Sequence, residues 1–238
     1  MLQVQGLSKK YGAIVVADAI DLALESGHCL GVIGPNGAGK SSLFNLLTGV
    51  ARPDRGSIRL DGVELVGKPP HQRARLGVAR AFQIPQSFAN LTVYENVLAA
   101  ASFGAGLRGA RAALRAQHAL QRCALGARSG ELAGRLPLLD RKRLEVAKAI
   151  ATNPRLLLLD EVAGGLTEPE VAALAALVAE LKAEYAVIWI EHIPQALHAV
   201  ADRILVLHFG RKLLEAPPAQ AMASREVREI YMGLPADA

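Results

Sequence analysis

The sequence predicts an α/β fold whose core of buried strands is interrupted, between about residues 84 and 154, by a helical lobe. Three observations predict it. The runs "CLGVIG", "RLLLLDE", "AVIWIEH" and "RILVLHFG" are short and continuously apolar, as strands covered on both faces must be. Stretches with helical spacing separate them. Aromatic residues make up only 4% of the chain while alanine and leucine abound, which favours helix-rich packing over an all-β sandwich. At 238 residues the chain suits one domain with an inserted lobe, the core comprising residues 1–83 and 155–238.

The elements follow in order. "LQVQGL" and "IVVADAIDLAL" alternate like half-buried strands, and "SGH" is a turn before the buried run "CLGVIG". Glycines lead from that run into "KSSLFNLLTGV", which has helical spacing. "GSIRLDGVEL" reads as a polar-edged strand pair and "GVARAFQ" as another strand. The texture changes after Gln83. Thr92 and Glu95 form a capping box that opens a helix in "LTVYENVLAAA". "RGARAALRAQHALQRCAL" and the basic "RKRLEVAKAI" continue with helical composition. After Asn153-Pro154 the strand character returns in "RLLLLDE". A helix N-capped by Thr167 follows in "EPEVAALAALVAELKAEY", then two more strands.

A formal charge of +5 suits a surface near phosphates or anionic headgroups, but it is too small and scattered to imply nucleic-acid binding, and none is expected. Cys29 and Cys123 make neither a disulfide framework nor a metal site, and Cys29 falls in an apolar strand pattern as a small buried hydrophobe. That fits a reducing compartment. The start "MLQVQGLSKKYG" lacks the features of a signal peptide, and no run approaches the roughly 18 apolar residues that span a bilayer. A cytoplasmic chain is expected, reaching the membrane through a partner.

The chemistry concentrates in two places. "GPNGAGKSS" carries the phosphate-loop pattern through Gly34, Gly39, Lys40 and Ser41. Such glycines let backbone N–H groups curl around phosphate oxygens, and the following helix points its positive end at them. Lys40 can neutralise β- and γ-phosphate charge, and Ser41 can ligate Mg²⁺. In "LLLLDE", Asp160 ends a buried strand where a carboxylate can hold Mg²⁺ through water, and Glu161 can orient or deprotonate an attacking water. Arg141, Lys142 and Arg143 read as a solvated helix face, as do Arg73, Arg75 and Arg80.

This set resembles the ATP-binding cassette family over nearly the whole chain. The resemblance implies a P-loop NTPase nucleotide-binding domain with a RecA-like core, an N-terminal antiparallel β subdomain and an inserted helical lobe. It implies that Gly34, Pro35, Asn36, Gly37, Ala38, Gly39, Lys40, Ser41 and Ser42 bind ATP, and that Tyr11 stacks on adenine. Gln83 in "ARAFQIPQ" would join Ser41 and Asp160 around Mg²⁺ and link that site to the lobe, while His192 in "WIEHIPQAL" would contact the γ-phosphate. Two subunits of this family sandwich ATP, each giving a signature loop, Leu-Ser-Gly-Gly-Gln, to the other. Leu136, Pro137, Leu138, Leu139 and Asp140 occupy that slot with altered chemistry. Pro137 has neither hydroxyl nor N–H, Leu139 replaces a glycine, and Asp140, a candidate helix N-cap, brings negative charge towards a phosphate. Val162 stands for the usual proline after the catalytic glutamate, and Thr167 for an aspartate that signals across the dimer.

"AFQIPQSFANLTVYENVLAAA", "RKRLEVAKAIATNPRLLLLDEVAGGL", "IEHIPQALHAVADRILVLHFGRKLLEAPP" and "EVREIYMGL" resemble the ATP-binding subunits of branched-chain amino-acid importers. The resemblance implies an ATPase motor that dimerises, with itself or a different ATP-binding subunit, beneath integral membrane permease subunits on the inner face of the membrane. A periplasmic or extracellular substrate-binding protein would deliver the cargo. Urea and short-amide importers and the lipopolysaccharide-export ATPase have closely similar subunits. Other readings are a regulatory subunit that binds ATP but turns it over poorly, and a DNA-repair ATPase. The second normally carries coiled-coil or zinc-bearing insertions, of which the sequence has neither heptad arms nor a cysteine cluster. No Asn-Lys-x-Asp motif for a GTPase occurs.

Overall fold

The computed structural model describes residues 1–232, so Gly233 and Leu234 of the "EVREIYMGL" ending lie outside the described residues. β1 (Leu2–Tyr11) and β2 (Ile14–Leu24) pair antiparallel, with Leu2 opposite Leu24 and Leu7 opposite Ile20. β3 (Cys29–Ile33) is buried along its whole length and runs through the glycine loop into α1 (Lys40–Thr48). β4 (Arg55–Leu60) and the short β5 (Val63–Glu64) complete an antiparallel sheet of order β2-β1-β4-β5. A short helix absent from the sequence reading, α2 (Pro70–Arg75), precedes β6 (Val78–Ala81).

The helical segment holds α3 (Val93–Ala99), α4 (Gly109–Arg122) and α5 (Leu138–Ala151), with a π-turn at Ala100–Gly104 extending α3. The capping box is present: the Thr92 hydroxyl accepts from the Glu95 N–H at 3.1 Å and the Glu95 carboxylate from the Thr92 N–H at 2.7 Å. β7 (Leu156–Asp160), α6 (Glu168–Lys182), β8 (Ala186–Ile190), α7 (Pro194–Val200), β9 (Arg203–His208) and β10 (Arg211–Ala216) follow, then α8 (Pro218–Ala223) and α9 (Arg225–Met232). Thr167 N-caps α6, as its sequence predicts.

The second sheet has the order β10-β9-β3-β8-β7-β6 and is parallel except for β10. Its central strands are continuously apolar because both faces are covered. On β7, Leu157 and Leu159 join a cluster with α3, α4, α5 and α6, while Leu156 and Leu158 join one with α1 and the antiparallel sheet. Apolar packing therefore continues from the helical segment into the sheet without a break. Cys29 and Cys123 are free and buried, and burial pushes both thiols up to about 12. Among the described residues no helix is long and apolar enough to cross a membrane.

Arg73 overturns its reading as a solvated residue. Only 2% of it is exposed, and its guanidinium donates to the carbonyls of Leu46 at 2.6 Å and Leu47 at 2.9 Å, and to Lys68 at 2.9 Å. The Leu46 and Leu47 carbonyls belong to the end of α1, where the helix has no amide of its own to offer them. Burial lowers the Arg73 pKa. Periodicity gives no warning of this, because the partner carbonyls are distant in sequence. Arg73→Met keeps the stem but strands these acceptors, and should cost about 2–4 kcal/mol. The check is a fall in the urea midpoint at unchanged slope; a midpoint equal to wild type would refute the capping role.

Candidate functional site

Four neighbouring parallel strands deliver their following residues to one edge of the sheet. β3 gives the glycine loop, β8 gives Glu191 and His192, β7 gives Asp160 and Glu161, and β6 leads to Gln83. The crevice beyond the carboxyl ends of parallel strands is where such sheets place ligands. Here it is a cleft of about 500 Å³ lined by Gly34, Pro35, Asn36, Lys40, Gln83, Glu161 and His192.

The loop is shaped by close backbone approach. Gly39 has φ +104°, and a Cβ on it would stand 2.4 Å from the Val16 carbonyl oxygen; one on Gly34 would stand 2.3 Å from that of Leu207. Ala38 is buried, and its carbonyl accepts from the Gly210 N–H at 2.9 Å. The first turn of α1 closes with the Leu43 N–H donating to the Gly39 carbonyl at 2.8 Å, so the N–H groups of Lys40, Ser41 and Ser42 have no partner one turn back within the helix. They stand at the positive end of its dipole, a place suited to phosphate. The Lys40 ammonium donates to the Gly34 carbonyl at 2.6 Å and to that of Pro35 at 3.1 Å. Burial lowers its pKa, opposed by the nearby Glu161 and Asp160 carboxylates.

On the facing side, Glu161 adopts φ +45°, a left-handed conformation that a side chain rarely takes and that recurs at functional sites. Its N–H donates to Ile190 at 2.9 Å, which anchors it to β8. Its carboxylate accepts from the Gln83 amide at 2.5 Å and lies 3.9 Å from His192 Nδ1. Asp160 is buried and paired with Arg80. Arg80 also donates to Asn45 of α1 at 2.9 Å, and its guanidinium lies 5.5 Å from the Phe44 ring centroid and 4.9 Å from that of Phe82. It is thus a structural bracket between β6, β7 and α1, which corrects its reading as solvated. The Ser41 hydroxyl, the Asp160 carboxylate and the Gln83 carboxamide oxygen are the oxygen donors that a hard cation such as Mg²⁺ takes. The Gln83 nitrogen is the atom engaged with Glu161, which leaves its oxygen for that role.

Sequence reading missed Glu191. It is fully buried and accepts from the Ala163 N–H at 2.7 Å and from the Trp189 indole and the His192 N–H at 3.3 Å each. One carboxylate therefore pins both the loop after Glu161 and the backbone at His192, and burial raises its pKa. The available signal was the one that identified Asp160: a carboxylate closing a continuously apolar strand.

The helix after the signature slot also departs from its reading. Arg141 donates to the carbonyls of Leu136 at 2.7 Å and Gly134 at 3.1 Å. Lys142 is buried and donates to the Gln83 carbonyl at 2.5 Å, while Arg143 pairs with Asp140 at 3.2 Å. None of the three simply solvates the surface; Arg75 is exposed, as expected. The helix begins at Leu138, so Pro137 is the N-cap and Asp140 is not. The fixed φ of proline suits helix entry, and Asp140 falls in the first turn, where the dipole favours a carboxylate. Its charge is met by Arg128 at 3.0 Å and by Arg143. Leu136 is buried, Pro137 and Leu138 are exposed, and Leu139 is partly covered. Val162 is buried, and Tyr11 is 53% exposed at the β1–β2 turn, whose second strand meets Gly39 at Val16.

Comparison with known proteins places the chain in a family. Residues 17–164 fit the model of the ABC transporter family. The chain is 37% identical to the high-affinity branched-chain amino acid transport ATP-binding protein BraF of Pseudomonas aeruginosa, over 98% of each chain. It is 34% identical to LivG of Escherichia coli, which bears the same description, again over 98% of each. The lipopolysaccharide export system ATP-binding protein LptB of Acidithiobacillus ferridurans is 32% identical over 98% of this chain and 97% of its own. A crystal structure of an ATP-binding cassette of an ABC transporter in its ADP conformation superposes with a TM-score of 0.88 at 25% identity, over 98% of this chain and 99% of that one. A nucleotide-free cassette does so with the same score, identity and coverage. The chain belongs to the ABC transporter family, as one of its ATP-binding, ATP-hydrolysing subunits.

Proposed function

We propose that this ATPase powers uptake of branched-chain or other hydrophobic amino acids. It works at the inner face of the cell membrane as one of two cassettes beneath permease subunits, with cargo brought by a periplasmic or extracellular binding protein that it does not touch. The observation that carries the reading is the end-to-end likeness to two branched-chain amino-acid uptake subunits, together with a cleft that gathers Lys40, Gln83, Glu161 and His192.

Each group in the cleft has work suited to its position. Tyr11 stacks on adenine. The N–H groups of the glycine loop and the head of α1 hold the phosphates, and Lys40 leaves the Gly34 and Pro35 carbonyls to neutralise them. Glu161 orients the attacking water and takes its proton, with Gln83 and His192 fixing its carboxylate and meeting the γ-phosphate. Ser41, Asp160 and Gln83 hold Mg²⁺, which supplies charge neutralisation to the phosphates when bound.

The second cassette completes the site. Each ATP needs donors from the opposite subunit, and Leu136–Asp140 offers few: Pro137 has no N–H, and the Asp140 carboxylate is engaged by two arginines. What remains is the exposed start of α5. A partner with a better-equipped loop would complete the Lys40 site of this chain, while this chain serves the partner's site weakly. A regulatory subunit with slow turnover is the second reading, favoured by the same loop and opposed by the assembled Glu161, Gln83 and His192.

Three variants test this. Lys40→Ala removes the counter-charge and should weaken fluorescent-nucleotide binding by roughly a hundredfold. In cells it should abolish uptake of labelled leucine; intact leucine uptake would remove the amino-acid assignment. Glu161→Gln should bind nucleotide normally, lose about 10²–10⁴-fold in turnover and accumulate a dimer visible by light scattering. Unchanged hydrolysis would mean that the wrong base has been named. Leu139→Gly should raise the Mg²⁺-dependent ATPase of the isolated chain. A fast wild type left unaltered by that change would show the Pro137-Leu138-Leu139-Asp140 loop to be a competent one.

A further inference from the structure

Between Glu95 and Glu131 the chain carries no Asp or Glu, yet it places Arg108, Arg111, Arg115, Arg122 and Arg128 there. Two of these are committed: Arg122 pairs with Glu184 and Arg128 with Glu131 and Asp140. The other three recur at helical spacing along one side of α4, beginning at its N-cap. The opposite side, Ala112, Ala116, Ala119 and Leu120, is buried in the core. Arg75, from the end of α2, joins the three across two adjoining clefts of about 500 and 650 Å³, neither of which is lined by an Asp or Glu. Arg115 donates to the Asn153 carboxamide, a neutral partner.

This arrangement runs against local electrostatics. Arg108 at the N-cap and Arg111 in the first turn of α4 stand where the helix dipole disfavours cations, and no acidic residue in that turn offsets them. Such conflicts persist in natural proteins where function requires them. Beside the arginines, Phe103 is 83% exposed and Leu114 65% exposed. A row of guanidinium groups flanked by bare apolar side chains, on a helix anchored by its other face, is the pattern of a surface that lies on a membrane. Guanidinium pairs with phosphate bidentately, and the apolar tips enter the boundary below the headgroups.

We infer that the Arg75–Arg108–Arg111–Arg115 face rests on anionic phospholipid headgroups, with Phe103 and Leu114 as shallow apolar anchors. The inference relies on the proposed membrane-bound complex for the presence of a bilayer nearby. It adds a direct lipid contact to the permease contact and uses none of the residues of the nucleotide cleft.

The test is sedimentation of the full chain with vesicles of phosphatidylcholine alone and of phosphatidylcholine mixed with phosphatidylglycerol, without nucleotide. Wild type should bind the mixed vesicles in preference, and more weakly as salt rises. The variant Arg108→Gln/Arg111→Gln/Arg115→Gln should lose at least about tenfold in affinity, while Lys10→Gln/Arg52→Gln/Arg55→Gln, equal in charge change on exposed core positions, should lose less than about twofold. Phe103→Ser should weaken binding without changing its salt dependence. No preference for phosphatidylglycerol, or equal loss in both triple variants, would overturn the inference. So would association seen with the permease subunits but never with lipid, which would make the face a protein contact. Because the assay needs no ATP, it can fail while the transport reading stands, and the reverse holds too.

Discussion

The parallel pairing of β8 between β3 and β7 is the constraint on which the rest of the site depends. It sets the glycine loop, the Glu191-His192 pair and the Asp160-Glu161 pair side by side at one sheet edge, with Gln83 beyond β6 closing the row. Because helices and a second sheet cover both faces, the strands must be apolar throughout, and polar chemistry is confined to their ends. Loop and carboxylates are far apart in sequence yet meet without any loop having to reach across the molecule. The Glu161 N–H bond to Ile190 shows how directly the ladder sets the site: the backbone of the proposed base is held by the neighbouring strand, in a conformation it would otherwise avoid.

A second layer of buried charge holds this row in place. Arg80 ties Asp160 to Asn45, Glu191 ties Ala163 to His192, and Lys142 reaches from α5 to the Gln83 carbonyl. Charges buried this deeply are costly to desolvate, and apolar replacements of similar size are often as stable. Their use here is positional. Each spans two elements that carry different reacting groups, so that the cleft behaves as one unit rather than four independent loop ends. Lys142 adds a mechanical consequence, since the helix that starts at the signature slot is bonded to the segment carrying Gln83.

The legible part of the sequence was the part governed by local rules. Continuous apolar runs marked β3, β7, β8 and β9, the Thr92 and Thr167 caps marked α3 and α6, and glycine spacing marked the loop. Short elements such as α2 and the π-turn carry too few residues to express a period. The basic residues were misread for a different reason. Periodicity places Arg73, Arg80, Arg141, Lys142 and Arg143 on elements but is silent about carbonyls and carboxylates that arrive from elsewhere in the chain, and these decide whether a charge is solvated or clamped. The start of α5 was misplaced because Asp140 has the chemistry of an N-cap, while the φ of Pro137 already meets the need for helix entry.

That misplacement bears on how the two halves of the nucleotide machinery relate. Around Leu136–Asp140 several polar groups support α5: Arg141 engages the carbonyls of Leu136 and the preceding Gly134, and Asp140 is held between Arg128 and Arg143, which leaves the N–H groups at the start of α5. At the cleft, Lys40, Glu161, Gln83 and His192 line one space. Under the proposed function, the side that receives ATP carries a full set of groups, while the side that would serve a neighbour's ATP offers fewer donors. An identical pair would place this weakened loop over both nucleotides. A pair with an unlike subunit would place it over one and leave the Lys40 site a full set of donors. Under the proposed function the cleft works only where donors reach it, and an unlike pair would supply them.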